Sequence, residues 1–395
     1  MAANLLLRAG HDVLVLERST RSLQGRGAGI VTHQGLRETL RAAGVPIDGT
    51  LGIEVAERVV LGADGQAVCR WAHPQILTSW GRLYALLRAA LPEPNHRLGA
   101  TVVSVESNVD GANATLASGE VLHADVLVAA DGIRSAVRAQ LAPAVQPVYA
   151  SYVAWRGVCE EAALSRHTLD TLFPHFGFGL PAREQMIGYP VAGANDSTQA
   201  GQRRWNFVWY RPAAAGPELQ ALMTDADGLH HAEGIAPQQV SWRHIAQARE
   251  AARALLAPQF AEIVEKTAVP FLQPIYDLAA PSLVLPDPQG PNCRIALLGD
   301  AAFVARPHVG MGVAKAADDA TALVACIARD GATPAALRCY DLLRRPAGAA
   351  VVQRARQLGA YLEAGARGEA PTRHEQDVMH QTAIDPTLFD RSFDH

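Results

Sequence analysis

The sequence predicts a mixed α/β protein, a Rossmann-like domain interrupted by an inserted domain built on an antiparallel sheet. Two observations carry that expectation. Three short apolar runs, DVLVL at 12–16, VLVAA at 126–130 and IALL at 295–298, each end at an acidic residue, Glu17, Asp131 or Asp300. That is the pattern of buried strands that present a carboxylate at their carboxyl edge. Between the second and third runs, residues 151–210 hold aromatic-rich strands separated by Gly, Pro and Asn, which read as one mostly antiparallel sheet. At 395 residues the chain is long for one domain and comfortable for two. The expected units are 1–145 and 276–366 for the Rossmann-like part, 146–275 for the inserted sheet, and a loosely packed tail at 367–395.

Composition narrows the function classes. Hydrophobic residues make up 49% and charged residues 19%, enough apolar matter for large cores and too little charge for wholesale disorder. A net charge of −4, with no Lys/Arg block, argues against a nucleic-acid binder. Five scattered cysteines, none in a C-x-x-C spacing, fit a reducing cytoplasm and offer no zinc site or other metal site. No apolar run spans a bilayer, and Arg8, His11 and Asp12 interrupt the apolar start, so neither a signal peptide nor a membrane segment is expected.

The first elements follow in order. Residues 1–9 have helical composition and stop at Gly10, a C-cap residue; 12–16 is a strand closed by Glu17-Arg18. Helix, glycine, strand, acidic residue is the second half of a βαβ dinucleotide unit, in which Glu17 can bind a ribose hydroxyl. The first strand of such a unit, with its G-x-G-x-x-G turn, is expected immediately before Met1. The Gly-rich stretch at 24–30 lacks the preceding strand and following Lys-Ser/Thr of a P-loop. Thr32, His33 and Gln34 lead into a helix at 35–43, and 55–61 with 67–71 form a hairpin around Asp64-Gly65. Ser79 caps an amphipathic helix at 80–91, which carries Arg82 in its first turn, where the helix dipole does not favour a cation.

Strands are expected at 100–105 and 113–116, then the buried run ending in Asp131-Gly132, with Ser135 capping a helix at 136–141. In the inserted sheet, Trp155, Phe176, Phe178, Tyr189, Trp205, Phe207, Trp209 and Tyr210 are candidates for an aromatic pocket, although most are expected to pack the sheet on a helix. Tyr189 and Tyr210 are the pocket candidates, because a buried phenol needs a hydrogen-bond partner that a ligand can supply. Helices are expected at 218–223 and 244–256, a helix or helix end at 258–269, the start of the return path to the first domain at 270–278, a Pro-rich loop at 281–291, and two long helices between 334 and 365.

The stretch 294–320, RIALLGDAAFVARPHVGMGVAKAADDA, organises the rest. Asp300 at a strand end can accept hydrogen bonds from a polyol. Pro307, Gly310, Met311 and Gly312 form a loop whose backbone a ligand can approach, and the helix beginning near Gly312 turns its positive end toward that ligand. Together these devices suit a polyol-linked ring that becomes anionic when reduced, as a flavin does.

The longer pattern, Gly299-Asp300-Ala301-Ala302, Pro307, Gly310-Met311-Gly312, Lys315-Ala316 and Asp318-Asp319-Ala320, resembles the second FAD-contacting motif of the single-component flavin-dependent aromatic hydroxylases, the p-hydroxybenzoate hydroxylase family. The run AADGIRSAVR at 129–138 is similar to that family's middle motif, which contacts FAD and the pyridine nucleotide. The resemblance spans residues 3–363 and implies a Rossmann-like FAD-binding domain with an inserted substrate domain. It implies non-covalent FAD, NADH or NADPH as co-substrate, and FAD contacts at Glu17, Arg18, Gln34, Arg82, Val103, Asp131, Asp300, Pro307, Gly310, Met311 and Gly312. It also puts the Gly-rich stretch at 24–30 beside the flavin ring.

Within the family, WRGV at 155–158, NFVWY at 206–210, LMTDADG at 222–228 and the 306–320 run are most like members that act on 2,6-dihydroxypyridine. An electron-rich hydroxypyridine is therefore the implied substrate, with O2 as the other, oxygen being transferred from a flavin C4a-hydroperoxide. A ring hydroxyl must then share its proton, and His308 is the candidate base, because an imidazole is the side chain whose ordinary range lies near working pH, with Tyr189, Tyr210 and His308 toward the substrate. A homodimer is compatible with the sequence. The alternatives are an FAD oxidoreductase of the same fold that does not hydroxylate, and an inactive, N-terminally truncated relic.

Overall fold

The computed structural model describes residues 1–21, 29–47, 51–232, 234–286, 290, 293–369 and 374–384. The chain opens with α1 (Ala2–Arg8), β1 (Val15–Glu17), β2 (Gly29–Val31), α2 (Gln34–Ala42), β3 (Ile53–Leu61), β4 (Ala67–Ser79) and α3 (Trp80–Ala89). Next come β5 (His96–Leu98), β6 (Val102–Ser107), β7 (Ala112–Leu116), β8 (Val121–Ala124), β9 (Leu127–Ala129) and α4 (Ala136–Leu141). The middle holds β10 (Val148–Glu160), α5 (Arg166–Thr171), β11 (Phe176–Gly179), β12 (Gln185–Val191), β13 (Arg204–Pro212), α6 (Pro217–Leu222), α7 (Trp242–Leu255) and α8 (Pro258–Lys266). The return path is β14 (Phe271–Ala279), β15 (Val284–Leu285), β16 (Ile295–Leu297), β17 (Phe303–Val304), α9 (Gly312–Asp330), α10 (Pro334–Ala366) and α11 (Glu375–Gln381).

The mixed α/β expectation holds. Parallel pairing joins β1 to β5 and β9 to β16, with β15 antiparallel on the β16 edge. A nine-stranded sheet runs β17-β14-β10-β13-β12-β11-β3-β4-β2 and is antiparallel throughout except where β11 meets β3. The hairpin expected at 55–61 and 67–71 forms and joins this sheet, so its strands come from residues 29–79 as well as from the middle of the chain.

Alternation along the strands sorts the aromatics. Trp155, Trp205, Phe207 and Trp209 face α7 and α8 in one core. Tyr152, Phe176, Phe178, Tyr189 and Tyr210 lie in another, with Leu362, Met379 and Ala383. Most of the candidate aromatics thus pack the sheet, as expected.

Several local expectations change. The stretch expected to hold two helices is one continuous helix of 33 residues, Pro334–Ala366, although Pro346 lies inside it. A proline costs one intrahelical bond and a local clash, offset here by a long apolar face that includes Leu337, Tyr340, Val352 and Leu362. The Pro-rich loop at 281–291 contains the short strand β15. The segment after 367 is not merely a loose extension, because α11 buries Met379 completely. Of the Gly-rich stretch at 24–30, residues 24–28 lie outside the described residues, while Gly29 and Ile30 enter β2. No helix among the described residues is long and apolar enough to cross a membrane.

Arg138 clasps the two strand-end loops. It is 2% exposed and donates to the carbonyls of Ile133, Val145 and Ala301, the last at 2.7 Å. Arg138→Met should strand those acceptors and cost about 2–4 kcal/mol of stability. A urea unfolding curve with a lower midpoint and unchanged slope is the expected outcome; a midpoint equal to the parent's contradicts the clasp.

Candidate functional site

The parallel register of β9 with β16, Leu297 opposite Ala129, puts Asp131 and Asp300 at adjacent strand ends. Leu298 N–H donates to Ala129 O at 3.0 Å, extending the pairing to the edge of the strands. Asp131 is exposed and its Oδ2 accepts from the Val137 N–H at 3.3 Å in the first turn of α4, which Ser135 caps as expected. Asp300 is open to solvent, between the buried Gly299 and Ala301. Loss of surrounding water pushes its carboxyl up, Lys315 draws it down, and Asp319 pushes it up again. Beneath that turn, Asp319 accepts from Gly299 N–H at 3.2 Å and Arg344 Nε at 2.8 Å, with the buried Lys315 ammonium at 3.6 Å.

From β17 the chain passes through a helical turn, Pro307–Val309, into Gly310 at φ +64° and then into α9. Met311 is buried and Gly312 exposed, with nothing within 4 Å of where a Cβ would sit. The positive end of a 19-residue helix therefore opens onto free space. A solvent-open carboxylate at a strand end and an open helix N-terminus a few residues later can hold a ligand that carries both hydroxyls and negative charge.

Toward the nine-stranded sheet, His308 is fully buried. Its Nε2 lies 2.9 Å from Tyr152 Oη, and its ring centroid is 4.1 Å from that of Tyr210. Tyr210 and Tyr152 meet edge to face at 6.0 Å. Tyr189 packs on Phe176, and Gly29 fits beside it so closely that a Cβ would come within 2.4 Å of the ring. Gly29 N–H donates to Asn206 Oδ1 at 2.9 Å, fastening the end of the Gly-rich stretch to this face. Burial pushes the hydroxyls of Tyr152, Tyr189 and Tyr210 up, while Arg306 draws on the first and Arg156 on the other two. All three remain neutral hydrogen-bonding groups at neutral pH.

The remaining sequence candidates are spread around the first part of the chain. Glu17 ends β1 and accepts from Ser19 N–H at 2.7 Å, with Arg18 exposed beside it. Gln34 opens α2 and is exposed, with Nε2 donating to Glu38. Arg82 has the partner that its place in the first turn called for, Asp196 at 3.1 Å. Val103 is exposed at a bulge in β6, where the pairing with β7 skips a residue. Sequence reasoning missed Tyr152, Arg156, Asn206 and His33, whose Nε2 lies 3.0 Å from Gly310 O. The parity of β10 could have found the first two, since Tyr152 and Arg156 lie on the face opposite Trp155.

A family model described as FAD binding domain-like matches residues 149–277. The 2,6-dihydroxypyridine 3-monooxygenase of Paenarthrobacter nicotinovorans is 28% identical over 370 residues, which is 92% of this chain and 89% of that protein. The 3-amino-4-hydroxybenzoate 2-monooxygenase of Streptomyces cremeus is 28% identical over 405 residues, 98% of this chain and 89% of that protein. The solved structure of 2,6-dihydroxypyridine-3-hydroxylase from Arthrobacter nicotinovorans superposes with a TM-score of 0.86 at 26% identity, covering 96% of this chain and 92% of that one. With the fold shared end to end and the 129–138 and 299–320 motifs at adjoining strand ends, the chain is similar over nearly its whole length to monooxygenases of aromatic rings.

Proposed function

We propose that this protein is an NAD(P)H-using, FAD-dependent monooxygenase that hydroxylates an electron-rich aromatic ring, a hydroxypyridine such as 2,6-dihydroxypyridine being the substrate class. One observation carries the proposal. A single short segment, 307–312, joins the buried imidazole between Tyr152 and Tyr210 to the open helix end, so that a ring held by one would lie against a cofactor held by the other. The relatives named for 2,6-dihydroxypyridine support the substrate class.

When bound, FAD would carry the two electrons of NAD(P)H to O2, chemistry that no side chain offers. Asp300 would hold the ribityl chain, and Glu17, Arg18, Gln34, Arg82, Val103 and Asp131 the rest of the cofactor. Pro307, Gly310 and Met311 would line its ring, and the amino end of α9 at Gly312 would stabilise negative charge there. Tyr189 and Tyr210 orient the substrate and, with the buried aromatic face around them, keep water from it. His308 takes up the proton that a substrate hydroxyl sheds, which enriches the ring carbon under attack, and Tyr152 at Nε2 fixes the imidazole.

A panel of hydroxypyridines and phenols, followed by aerobic NAD(P)H loss together with product mass, tests this function. A hydroxypyridine should give a product heavier by one oxygen atom; NAD(P)H loss without such a product would instead favour an oxidoreductase that does not hydroxylate. Asp300→Ala should weaken FAD retention about tenfold or more, by loss of a charge-assisted acceptor. His308→Ala should keep FAD and slow hydroxylation by about a hundredfold. Equal flavin loss in the two variants contradicts the assigned roles.

A further inference from the structure

Arg58 on β3 is 0% exposed, a placement that a guanidinium tolerates only when its N–H groups are engaged. Nε donates to Gln75 Oε1 at 2.8 Å, Nη1 to the carbonyls of Met379 and Thr382 at 2.8 and 2.6 Å, and Nη2 to that of Ala383 at 3.0 Å. Three aromatic rings, Phe176, Trp71 and Phe178, lie 4.8, 5.4 and 5.9 Å from its central carbon. The three carbonyls terminate α11, the negative end of that helix. A cation inside the protein thus pins the last described turn of the chain to the sheet.

The pinned turn reaches the candidate site. Ala383 N–H donates to His308 O at 2.9 Å, and the Ala383 side chain fills the space beside Gly310, where an added Cβ would come within 2.5 Å of it. Ala383 itself holds φ +53°, a conformation that costs a non-glycine residue and persists only where the surroundings impose it. Here its N–H is engaged by the His308 carbonyl and its C=O by Arg58. From the other side, His33 lies 3.0 Å from the Gly310 carbonyl. The turn that carries His308 is therefore gripped between α2's entry and the 374–384 segment.

We propose that residues 374–384 form a strap that sets the position of the His308–Gly310 turn, and that Arg58 is its fastening, a positioning residue for the substrate side of the site. For its effect on catalysis, the proposal rests on the hydroxylase function proposed above; for its effect on the loop, it stands alone. Displacing a reacting group by about 1 Å costs about a hundredfold in favourable cases, so even a partial loss of grip is measurable.

Arg58→Met, Arg58→Lys and a chain ending at Arg373 are compared with the parent for flavin content, hydrogen exchange at residues 308–312, substrate KM against kcat, and product formed per NAD(P)H consumed. In Arg58→Met, flavin content should stay near the parent's while exchange at 308–312 rises, KM increases and product per NAD(P)H falls about tenfold. Lysine, which reaches fewer carbonyls, should restore part of that yield. Should Arg58→Met fail to fold, the shortened chain carries the same expectation, and a synthetic peptide of residues 374–384 should raise its yield. Unchanged exchange and yield in the folded variants would overturn the strap. So would loss of flavin and product in step with thermal stability and without rescue by lysine. A parent protein that makes no hydroxylated product contradicts the proposed function, and the exchange measurement then still decides the strap.

Discussion

The parallel pairing of β9 with β16 is the contact on which the site depends. It joins segments about 170 residues apart in the chain and puts two carboxylates, Asp131 and Asp300, at one edge. Such a long-range pairing is expensive in loop entropy, and the structure reinforces it from both sides. Arg138 reaches from the first loop to the carbonyl following Asp300, and Tyr340 of α10 donates to Leu297 O at 2.9 Å. Once the pairing is set, the path through β17 and the turn to α9 leaves the helix end little freedom.

The second constraint is the parity of the nine-stranded sheet. On β13, Trp205, Phe207 and Trp209 face the helices α7 and α8, while Val208 and Tyr210 face the other way. One face therefore supplies a large core and the other an aromatic wall. Charges anchor the turn to that wall: Arg306 donates twice to Asp277 of β14, at 2.9 and 2.7 Å, and Arg356 of α10 donates to the other Asp277 oxygen at 2.9 Å. Buried ion pairs contribute little net stability but do fix geometry, here that of the turn that carries the buried His308 imidazole.

The fold class was legible because strand-end carboxylates and helix caps are local signals. Asp131, Asp300, Ser79 and Ser135 each occupy the place their neighbours implied. The sheet's membership was not, because the hairpin β3–β4 pairs with β11 more than a hundred residues downstream, a partner that no local pattern names. Two helices were expected between 334 and 365, and tertiary packing carries a single helix through Pro346. Tyr152 and Arg58 escaped notice for a similar reason. Each sits in an ordinary strand pattern, and its importance comes from what the fold brings against it. The 374–384 strap has weak periodicity and is held by a buried arginine from β3, so its order is visible only in three dimensions.

The most direct test of the account is the source of the oxygen in the product. The FAD-loaded protein is given NAD(P)H and 2,6-dihydroxypyridine under isotopically labelled O2 in ordinary water, and the product is weighed. The account predicts one labelled oxygen atom in the ring product, with no label gained when the water is labelled instead. Label from water, or consumption of NAD(P)H and O2 with the pyridine returned unchanged, would contradict it.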